Sequence, residues 1–112
     1  MAEISWQDFE RVEMRVGTIV ETRDFERAKR PAYQLVIDFG QEIGLRRSSA
    51  QITNLYQKED LVGKQVVAVV NFPVKQIANF FSECLVLGAV AADGTVTLLQ
   101  PERVVLNGLR IL

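Results

Sequence analysis

Apolar and polar positions alternate along most of this chain, and that alternation predicts strands. Ser5 and Asp8 form an S-x-x-D capping signal ahead of a short helix whose apolar face is Trp6, Phe9 and Val12. MRVGTIVE (Met14 to Glu21) reads as a strand, and Gly17 inside it suggests a bulge or bend that lets a sheet curl. In YQLVIDF (Tyr33 to Phe39), Leu35, Ile37 and Phe39 alternate against Gln34, Val36 and Asp38. Gly40 ends that strand, and EIGLRRSS (Glu42 to Ser49) pairs back across Gly40-Gln41 as a hairpin. AQITNLYQKEDLVG supplies a helical turn and a polar loop ending at Gly63. Gln65 to Asn71 and Glu83 to Val90 are strongly strand-like, and Asp93-Gly94 turns the chain into a last strand, Thr95 to Leu99. The expected architecture is all-β: five or six strands in a Greek-key barrel of the OB type, with short helices.

Two features of the pattern need a partner. Val66 to Val70 and Leu85 to Leu87 are apolar on both alternating faces, whereas a barrel strand with one wet face should alternate. The C-terminal VVLNGLRIL is also unusually apolar for a tail. Together they predict a homodimer, with Trp6, Phe9, Leu106, Leu109, Ile111 and Leu112 as candidate interface residues. The second feature is NFPVKQIANFFSEC (Asn71 to Cys84), which sets three phenylalanines among turn-forming and polar residues. Extended, Phe80 and Phe81 point to opposite faces, so one small core does not take both. The rings of Phe72, Phe80 and Phe81 suit a base-stacking platform, a hydrophobic peptide pocket, or core and interface packing.

Bulk properties narrow the function. The 112 residues suffice for one modest core and hence one domain, 1–112, with 48% hydrophobic and 24% charged residues. A net charge of -1 provides no global field for phosphate backbones. One cysteine and no histidine leave no disulfide framework, no multi-cysteine metal site and no Ser-His or Cys-His nucleophile. Cys84, at the head of an apolar strand, reads as a small core hydrophobe. Phosphate-cradling glycine loops are missing, and so is paired carboxylate spacing, so neither an enzyme nor a bound cofactor or metal is expected. The N-terminus lacks a secretory pattern and the longest apolar run is far below the ~20 residues of a membrane helix, so a reducing cytoplasmic setting is expected. The remaining polar candidates are Arg46, Arg47, Ser48, Ser49, Gln51 and Thr53 at a strand end, with Lys29, Arg30 and Lys75 elsewhere. They suit phosphates or a peptide backbone, or else simple capping of the next turn.

Six segments in order resemble the CsaA-type protein-export chaperones: DFERVEMRVGTIVE, KRPAYQLVIDFG, EIGLRRSSAQIT, LVGKQVVAVVNFP, KQIANFFSECLVLG and LLQPERVVLNG. That family is a branch of the tRNA-binding domains found free or appended to aminoacyl-tRNA synthetases. The resemblance implies an OB-fold homodimer that binds unfolded, exported preproteins without ATP and cooperates with the SecA translocation ATPase. By motif position its groove would use Ser48, Ser49, Gln51, Asn71, Phe72, Phe81, Ser82 and Glu83, with Phe80 the packed ring. The tRNA-binding relatives share Arg15-Val16-Gly17 and Ser82-Glu83, but their Ala-Asp-Lys-Leu element is replaced here by Pro31 to Leu35. That departure favours the chaperone branch, and tRNA binding through the same surface stands as the alternative. Two departures concern the branch itself: Val74 follows Asn-Phe-Pro where a second proline is usual, and Val104-Val105-Leu106 replaces Pro-Val-Pro in the C-terminal arm.

Overall fold

The computed structural model describes residues 1–112. Its chain begins with helix α1, Trp6–Glu10, and the capping signal is real: the Asp8 amide donates to Ser5 Oγ at 3.1 Å and the Ser5 amide to Asp8 Oδ2 at 3.0 Å. Strand β1, Met14–Asp24, is the hub of the sheet. Its first half pairs with β4, Gln65–Val69, and its second half with β2, Tyr33–Asp38. Next to β2 lies β3, Leu45–Ala50, and next to β4 lies β7, Leu85–Val86, which gives a five-stranded antiparallel sheet ordered β3-β2-β1-β4-β7. It curls into a nearly closed barrel, the expected OB-type fold.

β2 shows why the pattern was readable, since Tyr33, Leu35 and Ile37 are buried while Gln34, Val36 and Asp38 are not. With Ile19, Phe39, Leu61, Val66 and Ala68 they form the main core. Helix α3, Lys58–Leu61, pins its end there through the buried Leu61.

Several expectations need correcting. Gly17 sits in regular register opposite Val66, and the irregularity of β1 lies between Ile19 and Glu21. The glycine is needed for space: a Cβ there would stand 2.6 Å from Ile37 Cγ2 and 2.7 Å from Phe39 Cδ1. A short helix, α2, Gly40–Ile43, replaces the tight hairpin between β2 and β3. The expected single strand from Glu83 to Val90 is broken, because β8, Gly88–Val90, leaves the barrel to pair with β9, Val96–Leu98. The polar loop of the three rings is itself a hairpin, β5, Lys75–Ile77, with β6, Phe80–Ser82, turning at Ala78 with a positive φ of 54°.

The argument for a partner from β4 also changes. Val66 to Val69 are all buried within one chain, so both faces of β4 are covered without a second copy. Residues 11–13 cross its end: the Val70 amide donates to Glu13 O, the Glu13 amide to Asn71 Oδ1 and Asn71 Nδ2 to Arg11 O. At the chain ends Trp6, Val104, Leu106, Leu109 and Leu112 are exposed; Phe9 and Ile111 are half-buried.

Without its prolines, the C-terminal arm is fastened by polar contacts. Gln65 holds Val105 through both its amide oxygen (3.0 Å) and its amide nitrogen (2.7 Å). Asn107 Oδ1 accepts from Thr18 Oγ1 at 2.7 Å, and Gly108, at φ +93°, passes so close to Phe39 O that a Cβ would lie 2.6 Å from it. Arg15 donates to Gly108 O, and Glu13 pairs with both Arg15 and Arg110. The Arg15 hydrogen bond and the two guanidinium charges hold the Glu13 carboxyl below its ordinary range.

Gly17→Ala tests the packing argument. It should destabilise the fold by about 1–3 kcal/mol in chemical denaturation, since the added methyl has no room beside Ile37 and Phe39. A neutral result would mean that β1 and β2 separate more easily than this register implies.

Candidate functional site

β3 and β7 do not zip into a regular ladder, and what joins them is a side-chain clasp around residues 82–84. The Glu83 amide donates to Arg47 O at 2.8 Å, and the Glu83 carboxylate accepts from the Arg47 amide at 3.0 Å. One residue on, the Ser49 amide donates to Ser82 Oγ at 3.2 Å. Inside the barrel, Ser48 Oγ donates to Cys84 O at 2.9 Å. Each bond satisfies a backbone group that a missing ladder would leave bare.

The clasp leaves a trough beside it. Its walls are Ser49, Gln51, Lys75, Ile77 and Ser82, its floor includes Ala50, Ile52 and Val86, and Leu85, Val90 and Val96 extend it, enclosing about 480 Å³. At one end it continues into a recess of about 280 Å³ under Phe72 and Pro73, which shares Lys75, Ser82 and Leu85. Also adjoining it, through Ser49, Gln51, Lys75 and Ile77, is a cavity of about 540 Å³ lined further by Arg27, Lys29 and Arg30. These four cations are exposed and none makes an ion pair.

The rings now have places. Phe80 is 7% exposed and packs on Phe25, ring centroids 5.4 Å apart, in a second small core with Ala32, Ala28 and Ile77. That core fastens the β1–β2 loop to the β5–β6 hairpin, so the two walls of the basic cavity are held together. Phe72 is 55% exposed at the mouth of the recess. Phe81, 44% exposed, pairs with Gln76 in the hairpin, on the face opposite the one shared by Lys75, Ile77, Phe80 and Ser82. It therefore points away from the trough.

Of the residues expected in the groove, Ser49, Gln51, Ser82 and Phe72 come together there. Ser48 is fully buried and removed from any ligand's reach. Glu83 and Arg47 are occupied with each other, and the Arg47 guanidinium also lies 5.5 Å from the centre of the Phe80 ring. Arg46 donates to Ile43 O at 3.4 Å away from the trough, and Asn71 fastens the N-terminal segment. Sequence reasoning missed Ile77, Leu85, Val90 and Val96. The alternation of Lys75 and Ile77 against Gln76 was the one available signal, hidden by reading the stretch as a loop.

Chemically the trough offers aliphatic surface with hydroxyl, amide and ammonium groups, which suits binding. Burial pushes the Cys84 thiol up to about 12, partly opposed by the Ser48 hydroxyl, so its nucleophilic thiolate is withheld. No group of three or more Cys, Asp or Glu side chains is placed to hold a metal ion. No helix is long and apolar enough to cross a membrane.

A nearly closed OB-type barrel with an aliphatic trough and a basic end defines a binding module. Residues 14–110 match the tRNA binding domain family. Crystal structures similar to this chain include the chaperone CsaA from Bacillus anthracis, at 50% identity and a TM-score of 0.94 over 99% of this chain and 100% of that one. CsaA from Picrophilus torridus follows at 53% identity and a TM-score of 0.91, over 98% and 100%. A methionine-tRNA ligase from Methanocaldococcus jannaschii is 31% identical over 99% of this chain, which spans only 17% of that enzyme's length. The chain belongs to the tRNA-binding-domain family, in its CsaA-type branch.

Two outcomes check the clasp. Ser48→Ala should cost about 1 kcal/mol or more by leaving the Cys84 carbonyl only the long 3.4 Å bond from Ser82 Oγ. At pH 8 the Cys84 thiol of the native protein should react with a disulfide reagent orders of magnitude more slowly than in denaturant. Because the folded thiol's pKa is raised, the stability linked to it is complete at neutral pH and lost as pH climbs from about 9 toward 12. Fast native labelling at pH 8 would refute the burial.

Proposed function

We propose that this chain is an ATP-independent chaperone that holds unfolded, export-bound preproteins in extended form along the trough. The observation that carries the reading is a continuous aliphatic trough with hydroxyl and amide groups on one wall, in a chain half-identical to CsaA chaperones along its whole length. Aliphatic walls bury client side chains, and Ser49, Gln51 and Ser82 hold client backbone. Residues 1–112 act as one binding domain in the cytosol, delivering clients to the SecA translocation ATPase, with no covalent step. The exposed ends around Trp6, Leu106 and Leu112 join two copies, so that two troughs engage one long client and raise avidity.

A second reading, tRNA binding, is favoured by the four cations at the trough's end and by the family's name. Salt separates the two. Phosphate-dominated binding weakens steeply with rising salt, whereas aliphatic burial changes little. Titration with an unfolded preprotein and with tRNA at two salt concentrations should show salt-tolerant preprotein binding. Tight, salt-sensitive tRNA binding without preprotein binding would overturn the chaperone reading. Light scattering after size exclusion should give a dimer at micromolar concentration that Leu106→Glu splits, and a monomeric wild type would refute the joined ends.

A further inference from the structure

The basic end of the trough has no role in holding apolar side chains, yet it is built into the same groove. Arg27, Lys29 and Arg30 come from the β1–β2 loop and Lys75 from β5, two segments locked together by the Phe25–Phe80 contact. All four side chains are exposed and free of acidic partners, in a protein whose other cations are frequently paired and whose net charge is -1. Ser49, Gln51, Lys75 and Ile77 belong to both the basic cavity and the aliphatic trough, so one extended occupant meets both.

The occupant is readable from three features. One wall of the groove offers backbone-binding groups, since the outer edge of β5 is unpaired and β6 takes only its inner edge. The residues around the four cations include no aromatic ring on which nucleobases would stack, because Phe81 faces away, Phe80 is buried and Phe72, the groove's one exposed ring, lines the recess and not the basic cavity. Charge complementarity then supplies the last element.

We propose that the groove selects extended polypeptide segments in which a short aliphatic stretch is followed by acidic residues, the aliphatic part lying in the trough and the carboxylates among Arg27, Lys29, Arg30 and Lys75. The proposal rests on the peptide-binding reading and adds a sequence preference to it. Segments flanked by lysine or arginine are repelled from the same end, so a client is gripped at its acidic stretches and its basic ones are left free. Because charges on the rim act on encounter as well as on affinity, the preference shows in the association rate and weakens with salt. The aliphatic contribution stays.

Three fluorescent peptides with one aliphatic core and acidic, neutral or basic flanks test this by anisotropy, with tRNA as a fourth ligand. The acidic peptide should bind about tenfold tighter than the basic one at low salt. The double substitution Lys29→Glu with Arg30→Glu, on an exposed loop, should invert that order while the neutral peptide keeps its affinity. Lys75→Glu, on the other wall, should act in the same direction, which guards against a purely local effect on the loop. Equal binding of all three peptides would overturn the charge preference and leave the peptide reading standing. Failure of every peptide beside tight tRNA binding lost in the charge-reversed variants would overturn both and assign the cations to phosphates.

Discussion

Everything functional in this barrel depends on how β3 meets the segment that follows the β5–β6 hairpin. A regular ladder at that seam would close the barrel completely and leave no groove. Here a single backbone bond, the Glu83 amide to Arg47 O, is supplemented by side chains: the Glu83 carboxylate takes the Arg47 amide, Ser82 Oγ takes the Ser49 amide, and the Ser48 hydroxyl caps the Cys84 carbonyl. The side-chain bonds satisfy strand-edge groups that a continuous ladder would otherwise pair. The trough runs beside this seam, and Ser49 and Ser82 serve both the clasp and the wall.

The C-terminal arm is likewise fastened by both kinds of bond, since the Gly108 amide donates to Val16 O, the Val16 amide to Leu109 O and the Ile111 amide to Met14 O, with side chains adding to these backbone bonds. Gln65 presents its amide to Val105 as a strand would, and Asn107 and Gly108 fit against Thr18 and Phe39. The arm is positioned by polar contacts, which frees Val104, Leu106 and Leu112 to face outward. Rigidity that prolines would supply through a fixed φ is supplied by hydrogen bonds along the arm's length.

How much of this could be read from the residues depended on whether local pattern or tertiary context decided each element. β2 and the capping box of α1 were legible because period-two alternation and a three-residue hydrogen-bonded pair are local signals. Gly17 was misread because the same residue type serves a bulge or a close contact, and only the position of Ile37 and Phe39 tells which. The ring-rich stretch looked like a loop because a hairpin turning at Ala78 lacks the usual glycine or asparagine signature at that position. Phe80 was correctly singled out as the packed ring, but Phe81 was placed in the groove by motif position when the hairpin register turns it away. Ser48 and Glu83 were legible as important and not as structural, since a hydroxyl or carboxylate suits a ligand or a clasp equally until its partner is seen. The two-faced strand β4 suggested a second copy, and the fold buries Val66 to Val69 within the single chain.

The central claim is that the clasp holds the trough open in its binding form. Amide hydrogen exchange on the wild type and on the double variant Ser82→Ala with Glu83→Ala tests it most directly, read together with binding of an unfolded preprotein. The clasp account predicts that the Arg47 and Ser49 amides lose protection and preprotein binding falls, while the core amides of Leu35, Ile37 and Val66 keep theirs. Unchanged protection at Arg47 and Ser49 with unchanged preprotein binding would contradict it.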